Sequence, residues 1–434
     1  MRPFRSVMPA FALFATLVAQ AQVTAITGAT VHTVGPDGTI ENATLVIEDG
    51  RVMAVGAGLA VPDGAETIDA RGKVVTPGLM TPLGQIGLVE VDAVLETVDF
   101  IQRGDRFTAS FDVADAYNPH SSLVAINRIA GITYAVLSPE SMPEPDLLGH
   151  QSRVLSGLVS VVHLGGDDAF LARGVGIYAQ LGEAGSGVAA GSRAAALMIL
   201  RTALEDARDY SENRTAFDER RRREYSVSRL DLEALQPVLR GERRLLVDVH
   251  RASDISAALK LAADFDLDLV VVGGAEAWMV ADGLAAAGVP VILDSVTNLP
   301  QGFDRLNARL DSAAILSHAG VAFAVGGDAS NQNHNARNVT QAAGIAVANG
   351  LPWHEALAAI TIGPARIFGL DAEIGSVEAG KRADLVIWNG DPLELRTSAE
   401  RVFIGGRPVE MQSRQTLLRD RYLPEDADKP PAFR

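Results

Sequence analysis

Hydrophobic and polar residues alternate near the start of the chain with the two-residue period of β-strands. The segment TAITGATVHTV, residues 24–34, shows this alternation, and Gly-rich turns follow at residues 35–38 and 48–50. A second β-like region, GSVEAGKRADLVIWNG and ERVFIGGRPVEM, occupies residues 375–390 and 400–411. We therefore expect residues 22–75 and 370–411 to pair into one small sheet domain that is built from both ends of the chain.

The pattern changes to alternating buried strands and amphipathic helices from Leu245 onward. Four apolar runs, LLVDV, LDLVVV, VPVIL and VAFAVGG, are each followed by a helical pattern, and Gly288 and Gly320 stand where helices would end. Such repeats are typical of a parallel sheet with helical crossovers, closed into a barrel or left open. In the preceding half, strands are expected near residues 79–86, 131–138 and 153–162, and a fourth, sought at residues 214–229, shows no clear pattern.

The composition narrows the classes of protein that need to be considered. The chain has 434 residues, of which 47% are hydrophobic and 21% are charged, and this is the profile of a soluble globular protein. Its formal net charge of -16 argues against a nucleic acid as partner, because binding to phosphates needs a surplus of Lys and Arg. The chain contains no cysteine, so a disulfide framework is excluded.

Residues 1–21 have the pattern of a signal peptide. Two arginines precede an apolar run, and Ala19-Gln20-Ala21 matches a cleavage site, so we expect export to the periplasm or secretion of a chain that begins at Gln22. The alternative is an uncleaved anchor, but the apolar run is shorter than the ~20 residues that span a bilayer. We expect no membrane contact after cleavage, and a C-terminal tail at residues 412–434 whose last part is disordered.

Two segments resemble the metal-dependent amidohydrolase superfamily, in particular its imidazolonepropionase-like branch. They are GKVVTPGL, residues 72–79, and GPARIFGLDAEIGSVEAGKRADLVIWNGDPLE, residues 363–394. The resemblance implies an α/β fold in which a (β/α)8 TIM barrel, residues 76–368, is joined to a small β-sandwich domain formed by both chain ends. It also implies a site at the carboxyl ends of the barrel strands.

The resemblance also implies a metal site, and this sequence keeps only part of it. The family's His-x-His pair after strand 1 falls on Leu83 and Gln85, and the histidine after strand 6 falls on Gly273. The histidine after strand 5 matches His250, and the aspartate after strand 8 matches Asp328. With two of the usual ligands left, we expect either one weakly bound Zn²⁺ or none.

Four further roles follow from these positions and from the polar segment NQNHNARN after Asp328. We expect Asp328 to act as the catalytic base. The predicted substrate-binding residues are Gln85, Glu276, His334 and Arg337, of which His334 could also replace a lost ligand and Arg337 could bind a carboxylate. The alternative interpretation is structural, with His250 hydrogen-bonded to a neighbouring aspartate and the polar loop bonded to its own backbone.

Two functions remain open at this point. The first is an exported hydrolase of C–N bonds other than linear peptide bonds, acting on cyclic amides or on N-acyl and dipeptide compounds. The second is a non-catalytic barrel that has lost its metal site and binds a ligand or a partner protein. The expected partner is a small molecule, and the sequence leaves a homo-oligomer open.

Overall fold

The computed structural model describes residues 23–102, 107–141, 153–189, 191–296, 299–326 and 333–423. The predicted signal peptide, Asp328 and the last eleven residues of the predicted tail therefore lie outside the described residues. In the described part of the chain, no helix has both the length and the apolar character needed to cross a membrane.

One sheet combines strands from both ends of the chain, as the alternating patterns predict. Its order is β16-β15-β14-β5-β1-β2-β3, with β4 beside β1. The link between the two ends is an antiparallel pair, in which Thr76 of β5 faces Val386 of β14. The strands are β1 Thr24–His32, β2 Thr39–Glu48, β3 Arg51–Ala57, β4 Glu66–Asp69, β5 Val74–Pro77, β14 Leu385–Trp388, β15 Ala399–Ile404 and β16 Arg407–Pro408.

The second sheet has eight strands in sequence order and forms the predicted barrel, nearly closed on itself. Where β13 returns to β6, the gap is spanned by one segment of backbone: Val325 N donates to Ala359 O, and Met80 N donates to Ile360 O. The strands are β6 Leu79–Gly84, β7 Ile132–Leu137, β8 Leu155–His163, β9 Phe170–Gln180, β10 Arg244–Val249, β11 Leu269–Gly273, β12 Val291–Leu293 and β13 Phe323–Val325.

The third barrel strand runs against the others. β8 pairs antiparallel with both β7 and β9, whereas the remaining neighbours are parallel. The reason is the six-residue connection at 164–169, because a connection this short can make a hairpin but cannot return the chain for a parallel strand. The fourth strand is therefore β9, and residues 214–229, where the sequence suggested it, hold a short helix and an irregular segment.

Helices cover the outside of the barrel. α6 and α7 follow β10 and β11 as predicted, and α7 ends at Gly288, whose φ of 64° is the left-handed value favoured by glycine. The helices are α1 Ser122–Arg128, α2 Gly182–Val188, α3 Arg193–Glu212, α4 Arg214–Asp218, α5 Arg229–Leu239, α6 Ala252–Phe265, α7 Ala281–Ala287, α8 Ser312–His318, α9 Val339–Ala348, α10 Trp353–Ala358, α11 Ile362–Ile367 and α12 Arg414–Tyr422.

The interior of the barrel changes from apolar to polar along the strands. Its centre is a buried apolar cluster with members from all eight strands, including Met80, Leu83, Tyr134, Val159, Tyr178, Leu246, Val272, Ile292 and Ala324. Because side chains alternate between faces, the inward position two residues further on is Gln180 in β9, Asp248 in β10 and Asp294 after β12. We call the polar residues at this end, Gln85, Gln180, Asp248, His250, Asp294 and Ser295, the mouth of the barrel.

At the opposite end of the barrel, a buried carboxylate joins the barrel to the sheet. Asp384, which precedes β14, accepts hydrogen bonds from the Tyr134 hydroxyl, from Arg382 Nε at 3.1 Å and from Gly405 N at 2.6 Å. Burial raises the pKa of Asp384 to about 7, and the hydrogen bond from Gly405 offsets part of this rise. Each oxygen of this carboxylate thus has at least one donor.

Candidate functional site

The first barrel strand delivers an apolar and an amide side chain to the site. Leu83 belongs to the apolar cluster inside the barrel and is fully buried. Gln85, two residues further, is also fully buried, and neither its Oε1 nor its Nε2 has a hydrogen-bond partner within the described ranges. A buried amide without partners carries a desolvation cost of about 1 to 3 kcal/mol. Such a group needs a partner, which can be an ordered water or a bound ligand.

His250, directly after β10, has its Nε2 atom between an arginine and an aspartate. Arg305 Nη2 lies 2.7 Å from this nitrogen, and Asp248 Oδ1 lies 3.2 Å from it. A guanidinium can only donate, so Nε2 is the acceptor in the hydrogen bond from Arg305, and the Asp248 carboxylate, which can only accept, is a close neighbour of Nε2 and not its hydrogen-bond partner. Nδ1 is buried and has no hydrogen-bond partner in the described part of the chain.

The His250 ring lies across the position where the family resemblance places a second histidine. Gly273 there has a φ of 80°, and a Cβ atom added to it would overlap His250 Cε1 and lie 2.7 Å from its Nδ1. Any side chain at residue 273 would therefore displace the ring. The packing of the His250 ring therefore requires glycine at residue 273.

Glu276 organises the loop that carries Arg305. Its Oε1 accepts from both Asn307 N at 3.1 Å and Asn307 Nδ2 at 2.9 Å, and its Oε2 accepts from Ala252 N at 2.9 Å. The side chain is buried, and both of its oxygens are satisfied. This arrangement ties the start of α6 to the segment two residues after Arg305.

The two predicted residues beyond Asp328 lie on the exterior. His334 is exposed, and its Nδ1 lies 3.7 Å from Asp92 Oδ2. Arg337 is exposed as well and lines a groove of about 410 Å³ between α1, α9 and α12, while its backbone N donates to Asn127 Oδ1. The structure thus brings His250, Gln85 and the loop held by Glu276 to the mouth, and it places His334 and Arg337 elsewhere.

Several residues of the mouth were not identified from the sequence. Gln180, paired in register with Asp248, has an Oε1 without a hydrogen-bond partner, and the buried Ser295 hydroxyl also lacks one, as far as the described residues extend. Gln180 could have been found, because it is the first polar residue after the apolar end of β9. No sequence pattern pointed to Arg305, because it lies in an irregular segment more than fifty residues from His250.

The rim beside the mouth is a chain of alternating charges. Arg193 contacts Glu183 at 3.4 Å and Asp254 at 3.3 Å, and Arg251 contacts Asp254 at 2.7 Å. The charges in this chain balance one another. The rim therefore adds no strong net field to the mouth.

The described part of the mouth does not fit a zinc ion. A structural or catalytic Zn²⁺ needs three or four Cys, His, Asp or Glu ligands. Within the described ranges, no group of three such residues is placed to hold a metal. Leu83 and Gly273 supply no ligand atom, Gln85 supplies only a neutral amide, and Nε2 of His250 is already bound by Arg305.

Comparison with known proteins identifies the family and supports the fold. The sequence profile described as "Amidohydrolase family" matches residues 186–410. The chain belongs to the amidohydrolase family. This membership confirms the resemblance drawn from residues 72–79 and 363–394, and it confirms that the barrel is of the amidohydrolase type. Proteins of this family are usually dependent on a metal.

Curated relatives match over short stretches. They include Amidohydrolase tasK of Hapsidospora irregularis, 27% identical over 187 residues, which are 42% of this chain and 19% of that protein. Imidazolonepropionase of Maricaulis maris is 36% identical over 135 residues, which are 30% of this chain and 31% of that protein. A 5-methylthioadenosine/S-adenosylhomocysteine deaminase of Moorella thermoacetica is 34% identical over 100 residues, which are 21% of this chain and 23% of that protein. The matched stretches thus span less than a third of each of these relatives.

Solved structures match over nearly the whole described chain. An amidohydrolase from Thermotoga maritima MSB8 has a TM-score of 0.79 at 24% identity and covers 90% of this chain and 100% of its own. Phenylurea hydrolase B has a TM-score of 0.53 at 18% identity and covers 90% and 97%. An adenosine deaminase from Xanthomonas campestris with bound zinc has a TM-score of 0.51 at 17% identity and covers 92% and 96%. At these identities, the likeness establishes the fold alone.

Proposed function

We propose that the chain is a hydrolase of C–N bonds other than linear peptide bonds, with cyclic amides or N-acyl and dipeptide compounds as substrates. The observation that carries this proposal is the set of buried hydrogen-bonding groups at the mouth that have no partner among the described residues: those of Gln85, Gln180 and Ser295. They lie at the carboxyl ends of the barrel strands, where barrel enzymes bind their substrates. The family membership and the hydrolases among its relatives support the same class of reaction.

The proposed base is Asp328, which lies outside the described residues and directly follows Gly326 and Gly327 after β13. In this reaction, a water oxygen bonds to the carbonyl carbon and the water gives one proton to the Asp328 carboxylate. The C–N bond then breaks, and Asp328 passes that proton to the leaving nitrogen. The amide groups of Gln85 and Gln180 would orient the substrate by hydrogen bonds.

Glu276 serves in this proposal as a positioning residue, because both of its oxygens are engaged by Ala252 and Asn307. His334 and Arg337 keep their predicted role in substrate binding as a separate proposal. It requires a substrate that is long enough to reach the exterior of the barrel.

A second candidate function is a barrel that binds a small molecule or a partner protein without turnover. The observation that favours it is the contact between Arg305 and His250, since that contact occupies a ring nitrogen that a metal ion would need. In that case the mouth would recognise a ligand by the same unsatisfied groups.

One experiment separates the two candidates. The purified protein is assayed against cyclic amides, ureides, N-acyl amino acids and dipeptides, and the binding of each compound is followed in parallel by thermal shift. Hydrolysis that falls at least about a hundredfold in Asp328→Asn supports the first proposal. Binding without turnover in the wild type favours the second, and equal turnover in both proteins would remove Asp328 from the reaction.

We also propose that the chain is exported. The basis is the pattern of residues 1–21, and the test is N-terminal sequencing of the protein isolated from fractionated cells. A mature chain that starts at Gln22 in the periplasmic or secreted fraction is expected. A chain that retains Met1 in the cytoplasmic fraction would contradict export.

A further inference from the structure

The cation nearest to His250 is the guanidinium of Arg305. It lies 2.7 Å from Nε2 of the histidine that the family resemblance matches to a metal ligand. The other ring nitrogen faces Gly273 and is buried. Neither nitrogen is therefore available to a metal ion while Arg305 keeps this position.

The position of Arg305 is fixed by its own loop. Asn307, two residues further, is held at its backbone N and its side chain by Glu276, and its carbonyl oxygen accepts from Trp278 Nε1 at 2.9 Å. The Arg305 backbone is part of two turns, in which its N donates to Gly302 O and its O accepts from Ala308 N. These bonds hold the backbone on both sides of Arg305, and the contact with His250 Nε2 then places its guanidinium in the mouth.

The charges around Arg305 suit a single cation. Asp304 Oδ1 lies 3.9 Å from Arg305 Nε, and Asp248 reaches the same histidine nitrogen from the side at 3.2 Å. These two carboxylates, both mostly buried, surround a position of positive charge, as the carboxylate ligands of a metal would. A divalent ion entering there would meet a like charge within a few ångströms.

We propose that Arg305 takes the place of the metal ion in this member of the family. Its guanidinium binds the lone pair of His250 Nε2, balances Asp248 and Asp304, and is the positive group that the mouth presents to the carbonyl oxygen of a bound molecule. The last clause rests on the proposed function, because it takes the mouth as the substrate site. The exclusion of the metal does not depend on it.

The test is a zinc titration of the full mature chain, followed by calorimetry and by elemental analysis after dialysis. The wild type should show no stoichiometric zinc, while Arg305→Ala should bind zinc at least about tenfold more tightly, because Nε2 and the Asp248 carboxylate become free. Adding His250→Ala to Arg305→Ala should abolish the increase in zinc affinity. Arg240→Ala is the matched control, since Arg240 pairs with Glu242 on the exposed surface and its loss should change nothing.

Each outcome has a definite meaning. Stoichiometric, tightly bound zinc in the wild type would overturn the proposal, and so would equal zinc affinity in the wild type and Arg305→Ala. If Arg305→Ala does not fold, the titration of the wild type still tests whether the intact site excludes zinc. Absence of hydrolysis would count against the proposed function only. Hydrolysis that is lost on removal of zinc with a chelator would overturn the role of Arg305 while leaving the proposed reaction intact.

Discussion

Each end of the barrel buries a polar side chain, and the two side chains differ in how far their hydrogen-bonding groups are satisfied. At one end, Asp384 receives hydrogen bonds from Tyr134, Arg382 and Gly405. At the other end, Gln85 is buried just as deeply and has no hydrogen-bond partner among the residues that the structure describes. Buried polar groups in native proteins are normally satisfied, so the satisfied carboxylate fits a structural role, whereas the amide needs a further partner such as an ordered water or a ligand.

The two ends also differ in how closely their sequences resemble the family. The sequence around Asp384, ADLVIW, is the part that most resembles the family, and its carboxylate joins the sheet to the barrel. In the mouth, His250 stands where the resemblance places a histidine, and Arg305 and Asp248 are its neighbours. The joint is needed by any protein with this fold, whereas the mouth is free to change with the ligand.

The largest expected effect is the loss of the Asp384 carboxylate. Asp384→Ala leaves the Tyr134 hydroxyl, Arg382 and Gly405 N without their acceptor in a buried place, so we expect the free energy of unfolding to fall by about 3 to 5 kcal/mol. Urea denaturation followed by circular dichroism measures this change. A loss below about 1 kcal/mol would mean that the hydrogen bonds of Asp384 contribute little to holding the sheet against the barrel.

The pH dependence of stability provides the second prediction. Burial raises the pKa of Asp384 from 3.8 to about 7, so the unfolded chain releases this proton near pH 4 while the folded chain holds it until near pH 7. The contribution of Asp384 to stability is thus fully present below about pH 4 and is lost as the pH rises to about 7. As the pH rises from about 4 to about 7, the free energy of unfolding of the wild type should fall by a few kcal/mol relative to that of Asp384→Asn. A difference that is flat or rises with pH would contradict the raised pKa.

The third prediction concerns the mouth and uses two glycines that share a left-handed backbone. Gly273 has a φ of 80° and Gly288 a φ of 64°, but a Cβ would strike the His250 ring only at residue 273 and would meet nothing within 4 Å at residue 288. We expect Gly288→Ala to cost about 1 kcal/mol through backbone strain. Gly273→Ala should cost about 2 to 3 kcal/mol because overpacking adds to the strain. Equal losses in denaturation would show that the ring does not lie across residue 273.

The smallest effect is expected at Gln85. Gln85→Met removes two unsatisfied polar atoms from a buried position, so stability should be unchanged or rise by about 1 kcal/mol. Gln236→Met is the matched control, because Gln236 Nε2 donates to Ala207 O and to Leu232 O, and its replacement should cost about 1 kcal/mol. Thermal denaturation of both variants provides the comparison. A clear loss of stability in Gln85→Met would mean that the amide has a structural partner.

Much of the fold could be predicted from the sequence, since patterns of period two and 3.6 are local. The alternating segments at both ends correctly predicted the composite sheet, and the helices after β10 and β11 lie where their patterns indicate. The reversed β8 was missed because an apolar run has no direction, although the six residues between His163 and Phe170 are too few for a helical crossover. The fourth strand was missed because Arg173 and Gly174 interrupt the apolar pattern of β9.

The site could be predicted only in part, for a different reason. The positions of Gln85 and His250 at the ends of barrel strands follow from the strand pattern, because a strand fixes the direction of its side chains, whereas their roles stay predictions. The contact of Arg305 with His250 joins residues 55 positions apart through an irregular segment, and the exposure of His334 and Arg337 depends on how α9 begins. Such contacts are set by tertiary packing, which leaves no periodic pattern in the sequence.

The contact between Arg305 and His250 can be tested in the wild type by locating the proton on the His250 ring. Protein labelled with ¹⁵N-histidine, with the His250 signals assigned by their absence in His250→Asn, would be examined by long-range ¹H–¹⁵N correlation at neutral pH. We expect an Nε2 that carries no proton and accepts a hydrogen bond, and a signal that added zinc leaves unchanged. A proton on Nε2, or an Nε2 signal that shifts stoichiometrically with zinc, would contradict the role of Arg305.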